Sequence, residues 1–335
     1  MNSLTLGDLS TMFRRSSLIT QNKTDLNTYS MEVASGLKAD LSKSVSGDFT
    51  PLASMERSLR TFESYQRGID DAAFFGSSMQ NVLGTVADHV DTSAGPLLNA
   101  ASYNDAATIE ITSTQARATL DSVVNAFNTR AGGRAIFGGA ATHTTPLQSS
   151  EILMSEIQTA IAGAASADDI LTAVDAWFEP GTGNYDTVMY NGSTSPKSGF
   201  VLNDQETATF DVTATAQGIR ETLKGFVLGA LVSEGALAGN IDEQAQLMQT
   251  AGERLYGASA QLQQLSAQVG TQEAKVEAAS QRNTTEKYAT ERAKSEIVSA
   301  DIYDSATKLQ QAEAQLEMMY TITARLSNLK LSDYI

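Results

Sequence analysis

Apolar residues in the last third of the chain fall on a seven-residue step. Ile241, Met248, Leu255, Leu262, Val269 and Val276 mark one row; Ala251, Ala258, Leu265 and Ala279 fill the position three residues on. A seam held over more than five heptads predicts one long helix. At about 1.5 Å per residue it makes a rod roughly 60 Å long or more. Gly270 is the only glycine beyond Gly257, and no proline follows Pro196, so little opposes it. The expected partner of this seam is the chain's own core. Past Ile297 the register changes. Ile302, Leu309 and Leu316, with Ala312, Met319 and Leu326, form a second seam, which puts a joint near Ser295–Asp301.

At the other end Met12, Ile19, Leu26 and Val33 are also seven apart, but Ser16, Lys23 and Ser30 stand between them and the stripe is thin. Ser35–Thr50, with Gly36 and Gly47, reads as a connector ending at Pro51. A second helix follows through Leu52, Met55, Leu59, Phe62, Ile69, Ala72, Met79, Leu83, Val86 and Val90. A third covers Asp105–Arg130 through Ile109, Ala116, Leu120, Val123 and Phe127, and Gly132-Gly133 stops it. The prolines, Pro51, Pro96, Pro146, Pro180 and Pro196, are expected at element ends, because one inside a helix costs about 3 kcal/mol.

The middle reads differently. Ser150–Ala162 and Asp168–Phe178 have the spacing of short helices, the second opened by a capping box with Asp169 in place of Glu. Between Thr187 and Thr215 the period shortens to two: Ala208, Phe210, Val212 and Ala214 alternate with polar neighbours, as in a half-buried strand. Asn191-Gly192 and Asn203-Asp204 supply turns. Gln217–Val232 returns to helix. The expected fold is therefore mainly α. The N- and C-terminal regions form a long antiparallel helical bundle or coiled-coil rod, with a β-hairpin arm and a small α/β insert. Residues 1–40 with 298–335 form a terminal coiled-coil domain, 41–149 with 216–297 the rod and its arm, and 150–215 an outward-facing insert.

Composition narrows the function. Among 335 residues, Lys and Arg number 23 against 39 Asp and Glu, a net charge of -16. That argues against a general nucleic-acid or anionic-membrane binder, which needs a basic surface. Cysteine is absent, so disulfides, thiolate catalysis and Cys-ligated metals are excluded. Only His89 and His143 offer imidazole. Met1–Arg15 has its basic residues after the apolar ones and does not read as a cleavable signal peptide. The longest apolar stretch, near Gly225–Val232, is far short of a membrane span. The expectation is a soluble protein, or one that leaves the cell without such a peptide.

Candidate chemistry is thin. Gly133–Gly138 has phosphate-loop glycine spacing, but Gly139 and Ala140 stand where Lys and Ser/Thr are needed. A short hairpin with glycines at its bends is the better reading. His89, between Asp88 and Asp91, lacks a second imidazole and reads as a solvated helix face. Asp168-Asp169 is explained by the preference for acids at a helix start. No catalytic, cofactor or metal residue is assigned, and no enzyme activity is expected. A secreted adhesin or enzyme with a helical stalk would need its site within Ser150–Thr215, which holds one Trp and no His.

The terminal seams carry a physical implication of their own. Their regular apolar residues bury too little to offset the entropy of ordering some thirty residues, and isolated helices are marginal in water. Pairing the two ends still leaves Phe13, Leu18 and Leu41 uncovered. Both ends are therefore expected to be loose alone and to order when neighbouring copies cover them. The candidate assembly residues are Met12, Ile19, Leu26, Val33, Ile302, Leu309, Leu316, Met319 and Leu326.

Several of these motifs resemble the bacterial flagellin superfamily. Val33-Ala34-Ser35-Gly36-Leu37-Lys38 is similar to the turn after the first helix of flagellins. Gly133-Arg134-Ala135-Ile136-Phe137-Gly138-Gly139, then Thr142-His143-Thr144-Thr145-Pro146-Leu147, resembles the family's Gly-Arg-Tyr-Ile-Phe-(Ser/Ala)-Gly and its Thr-x-Thr-x-Pro sequel. Gly133, Arg134, Ile136, Phe137 and Gly138 carry that match, while Ala135 replaces the Tyr. Val45–Pro51 departs from the family's Asn-Pro-Ser-Asp-Asp-Pro-like loop. Leu329-Lys330-Leu331-Ser332-Asp333-Tyr334-Ile335 is similar to the ending of members at the hook–filament junction. The resemblance spans roughly 1–147 and 205–335. It implies an extracellular flagellar subunit, exported through the flagellar type III channel without a cleaved signal. Its partners would be copies of itself in a ring-like layer, the hook-side junction protein, filament flagellin and an export chaperone. By resemblance the chaperone would hold the C-terminal helix through Leu309, Leu316 and Leu326. Filament flagellin is the alternative within the family.

Overall fold

The computed structural model describes residues 6–195 and 197–332, with side chains over 10–195 and 197–325. Nine α-helices run in order through these residues. They are α1 (Leu6–Ser35), α2 (Leu41–Ser44), α3 (Thr50–Tyr103), α4 (Ala106–Phe127), α5 (Ser150–Ala160), α6 (Ala167–Phe178), α7 (Gln217–Ala230), α8 (Ile241–Val298) and α9 (Ile302–Ser332). Two two-residue hairpins complete the set: β1 (Arg130–Ala131) with β2 (Arg134–Ala135), and β3 (Phe200–Val201) with β4 (Thr207–Ala208), both antiparallel. The fold is mainly α, with long terminal helices packed together and small hairpins between them. The chain divides into two compact units, residues 1–62 with 284–335, and residues 63–283.

Within the second unit the core is built around α7. Every residue from Gly218 to Ala230 except the half-buried Glu221 is buried, so this helix is enclosed rather than amphipathic at a surface. Gly225 admits Leu255 of α8, and Gly229 admits Leu97 of α3 and Ala116 of α4, each side chain lying where a Cβ would stand. The long heptad row of α8 closes over the same core. Met248, Leu255, Leu262, Val269 and Val276 are all buried, as are Ala251, Ala258, Leu265 and Ala279. The seam expected to face the chain's own core does so.

Three polar residues on α7 are buried and satisfied. Arg220 donates to the carbonyls of Thr215 (2.9 Å) and Phe178 (3.1 Å), pairs with Asp186, and lies 4.5 Å over the Tyr185 ring. Lys224 pairs with Asp175 and Glu221, and Arg254 of α8 reaches the same two acids. Thr222 donates its hydroxyl to the Gly218 carbonyl at 2.7 Å. Burial without these partners would cost several kcal/mol, of order 3–5 for a stranded charge.

Some elements depart from the periodicity. Pro96 sits inside α3, not at its end. Its exposed ring leaves the Thr92 carbonyl without a helical N–H, but Leu97 and Ala100 beyond it are buried, and that packing carries the helix through. Pro196 lies outside the described residues. The strand expected up to Thr215 keeps its alternation, with Ala208, Phe210, Val212 and Ala214 buried, yet only Thr207–Ala208 pairs in a ladder. Tyr185–Met189 forms a π-turn that the pattern did not announce. Elsewhere the local signals hold. Asp105 caps α4 through the Thr108 N–H, and Ser166 with Asp169 makes the full capping box of α6. The joint between α8 and α9 falls at 299–301, where Asp301 accepts from the Tyr303 and Asp304 N–H groups.

A candidate assembly surface on the terminal helices

Within the first unit, α1 and α9 run antiparallel. Asn22 donates its amide to the Met319 sulfur at 3.9 Å, and Ser305 donates its hydroxyl to Glu32 at 2.8 Å. Lys308 lies 5.9 Å from the Tyr29 ring and Lys23 the same distance from Tyr320. A bridge between Leu37 and Ser299, with Lys38 N–H donating to Val298 O at 2.9 Å, closes the pair at the joint. Lys38 also donates its ammonium to the Ile297 carbonyl at 2.8 Å.

The seam between these helices is narrow. Leu316 and Ala312 are buried, with Ser305 and Asn22 beside them. Ile19, Leu26, Val33, Leu309 and Met319 are half-buried along the same line, whereas Met12 and Ile302 are exposed. Leu326 lies in α9, but its side chain is outside the described residues. The seam's polar members were missed in the apolar pattern. Asn22 and Tyr29 stand three residues after Ile19 and Leu26, and Ser305 three after Ile302, so the complementary heptad row was the signal that could have found them.

Much apolar surface is left outside. Phe13 is 73% exposed and Tyr303 85%, and Met12, Leu18, Met31, Leu37, Ile302, Met318, Tyr320 and Ile322 are also exposed. Ala314, Glu317, Met318, Thr321, Ile322 and Arg325 line an open hollow of about 380 Å³ on α9. Single exposed apolar residues are ordinary; here they recur along both members of a helix pair, which makes this face the candidate surface.

In the second unit the glycine-rich motif forms the hairpin expected of it. Gly132 and Gly133 take φ of +56° and +77° between β1 and β2, the positive angles a two-residue turn requires. Gly139, at φ +59°, lies so close to the Ser193 carbonyl that a Cβ would collide with it. Ile136 and Phe137 are buried, Phe137 edge-on to Phe127 at 5.3 Å, and Gly138 is buried where a Cβ would come within 2.9 Å of the Ala141 oxygen. Arg134 is exposed. The motif is a packed structural corner, not a phosphate cradle.

His89 lines a polar hollow of about 200 Å³ between α3 and α4, with Thr92, Thr112 and Gln115. Among the described residues no group of three or more His, Asp or Glu is placed to hold a metal, and no helix is long and apolar enough to cross a membrane.

Residues 253–335 match the family described as the bacterial flagellin C-terminal helical region. Among curated proteins no relative matches the chain. Among solved structures, the crystal structure of Bacillus cereus FlgL is similar, with a TM-score of 0.52 and 16% identity over 72% of this chain and 100% of that one. A proposed flagellar hook-associated protein from Vibrio parahaemolyticus gives a TM-score of 0.51 and 13% identity, covering 75% and 99% of the two chains. At such identities the likeness is one of fold. Residues 253–335 thus match the flagellin C-terminal helical region, and the chain shares the fold of these two solved structures.

Proposed function

We propose that this chain is a non-enzymatic structural subunit of the bacterial flagellum that assembles through α1 and α9. The observation that carries the reading is the apolar surface on that helix pair, from Phe13 and Leu18 to Tyr303 and Ile322, which no other part of the described chain covers. Copies packed side by side would bury it, and burial of about 25 cal/mol per Å² rewards such packing. The flagellin C-terminal match and the shared fold support a flagellar role.

The specific reading is an adaptor at the hook–filament junction, a counterpart of hook-associated protein 3. The Leu329–Ile335 ending and the names of the two structural neighbours favour it over filament flagellin. Its partners would then be further copies in a ring-like layer, the hook-side junction protein, filament flagellin and an export chaperone on the C-terminal helix. It would act outside the cell. Deleting the gene should leave hooks intact, abolish filaments and release flagellin into the medium. Normal filaments on the deletion strain would refute the junction role. Hooks with neither filament nor released flagellin would point to the filament subunit itself.

A further inference from the structure

Three phenylalanines of the second unit meet where β3 lies on α3. Phe75 is 5.5 Å from Phe200 and 5.7 Å from Phe210, and Phe200 is 6.0 Å from Phe210, centroid to centroid. The β3 backbone comes close enough to α3 that a side chain at Gly68 would collide with the Val201 carbonyl. The Tyr65 hydroxyl hydrogen-bonds the Asp204 carboxylate in the same stretch. Into this cluster projects the ammonium of Lys197. Its Nζ lies 3.7 Å from the Phe200 centroid and 4.3 Å from that of Phe75. It is buried and has no hydrogen-bond partner among the described residues.

A lysine tip placed this way is unusual, because a buried ammonium normally keeps an acceptor for its three N–H groups. The ring faces return part of the lost hydration. The charged groups around it do little more. Asp71 of α3 favours the cation, and Arg134 of β2 opposes it. From α8, Glu273 packs at Gly76 beside Phe210 and accepts from Gln80, while Lys275 donates to the Thr207 carbonyl of β4. Neither supplies an acceptor to Lys197.

We propose that Lys197 is a protonation-dependent pin joining β3 to α3, holding more firmly as the neutral amine than as the ammonium. Desolvation is the main cause, and it brings the group from its ordinary 10.5 down to about 8. The sign follows from proton linkage. Between about pH 8 and 10.5 the opened segment binds more protons than the closed one, so attachment strengthens as pH rises through that window and is flat below it. If opening hydrates the lysine fully, closure should gain about tenfold between pH 7 and pH 9.

The test uses the full chain. Trace labelling with acetic anhydride from pH 6 to 11, read by peptide mass spectrometry, should give Lys197 a midpoint near 8. Hydrogen exchange at Phe200–Leu202, corrected for intrinsic rates, should slow about tenfold from pH 7 to pH 9 in the wild type. In K197M that change should vanish. A Lys197 midpoint at its ordinary 10.5, or an exchange profile in K197M that overlays the wild type, would overturn the pin.

Discussion

Phe137 shows how much one side chain can hold. It has no exposed surface and meets Phe127 edge-on, joining the hairpin corner to the end of α4. Its backbone carbonyl also accepts from the Ala214 N–H at 3.0 Å, so the corner is tied to the segment that leads into α7. The two glycines that follow it serve this packing by letting backbone approach backbone, at Gly139 against Ser193 and at Gly138 against Ala141. Phe137→Ala should lower unfolding stability by about 3–5 kcal/mol, seen as a lower urea midpoint at an unchanged slope. A loss under 1 kcal/mol would mean that the corner is not part of the cooperative core.

Among elements, the terminal pair and the central helix make opposite demands. Helix α7 is covered on every side, and its Arg220 and Lys224 find acids from other segments. Helices α1 and α9 share a seam one or two side chains wide and present apolar residues outward. The outward residues of α1 and α9 can be changed without touching the seam between them. Replacing Phe13 and Tyr303 together by Ser should leave thermal unfolding of the monomer within about 0.5 kcal/mol of the wild type, yet weaken incorporation into flagella in a complementation assay. Undiminished incorporation would remove those residues from the interface.

The long seams were legible because a heptad needs only local information: each apolar residue of α8 announces its own face. The joint at 299–301 and the capping box at Ser166 and Asp169 were legible for the same reason. What escaped depends on distant partners. Nothing in the local pattern marks Arg220 as buried, and its burial is made tolerable by Asp186 and the Thr215 and Phe178 carbonyls. Pro96 reads as a helix end until Leu97 and Ala100 are seen to be buried beyond it. The two-residue β3–β4 ladder is shorter than its alternation implied, because Phe210, Val212 and Ala214 bury their side chains without a neighbouring strand. Of the candidate site, the apolar row was visible, while its polar members Asn22, Ser305 and Glu32 were not.

At the scale of the whole molecule, the chain invests its apolar residues unevenly. A single contiguous core runs through the second unit from Ile69 to Ala279, whereas the buried apolar residues of the terminal pair come down to Ala312 and Leu316 among the described side chains. Under the proposed function, an assembly that supplied the missing cover would complete the fold as it formed. Hydrogen exchange of the dilute monomer and of the chain in isolated flagella tests this most directly. The account predicts near-unfolded exchange rates across α1 and α9 in the monomer and strong protection of both in flagella, with Leu255–Val276 protected in each. Terminal helices equally protected in a verified monomer would contradict it.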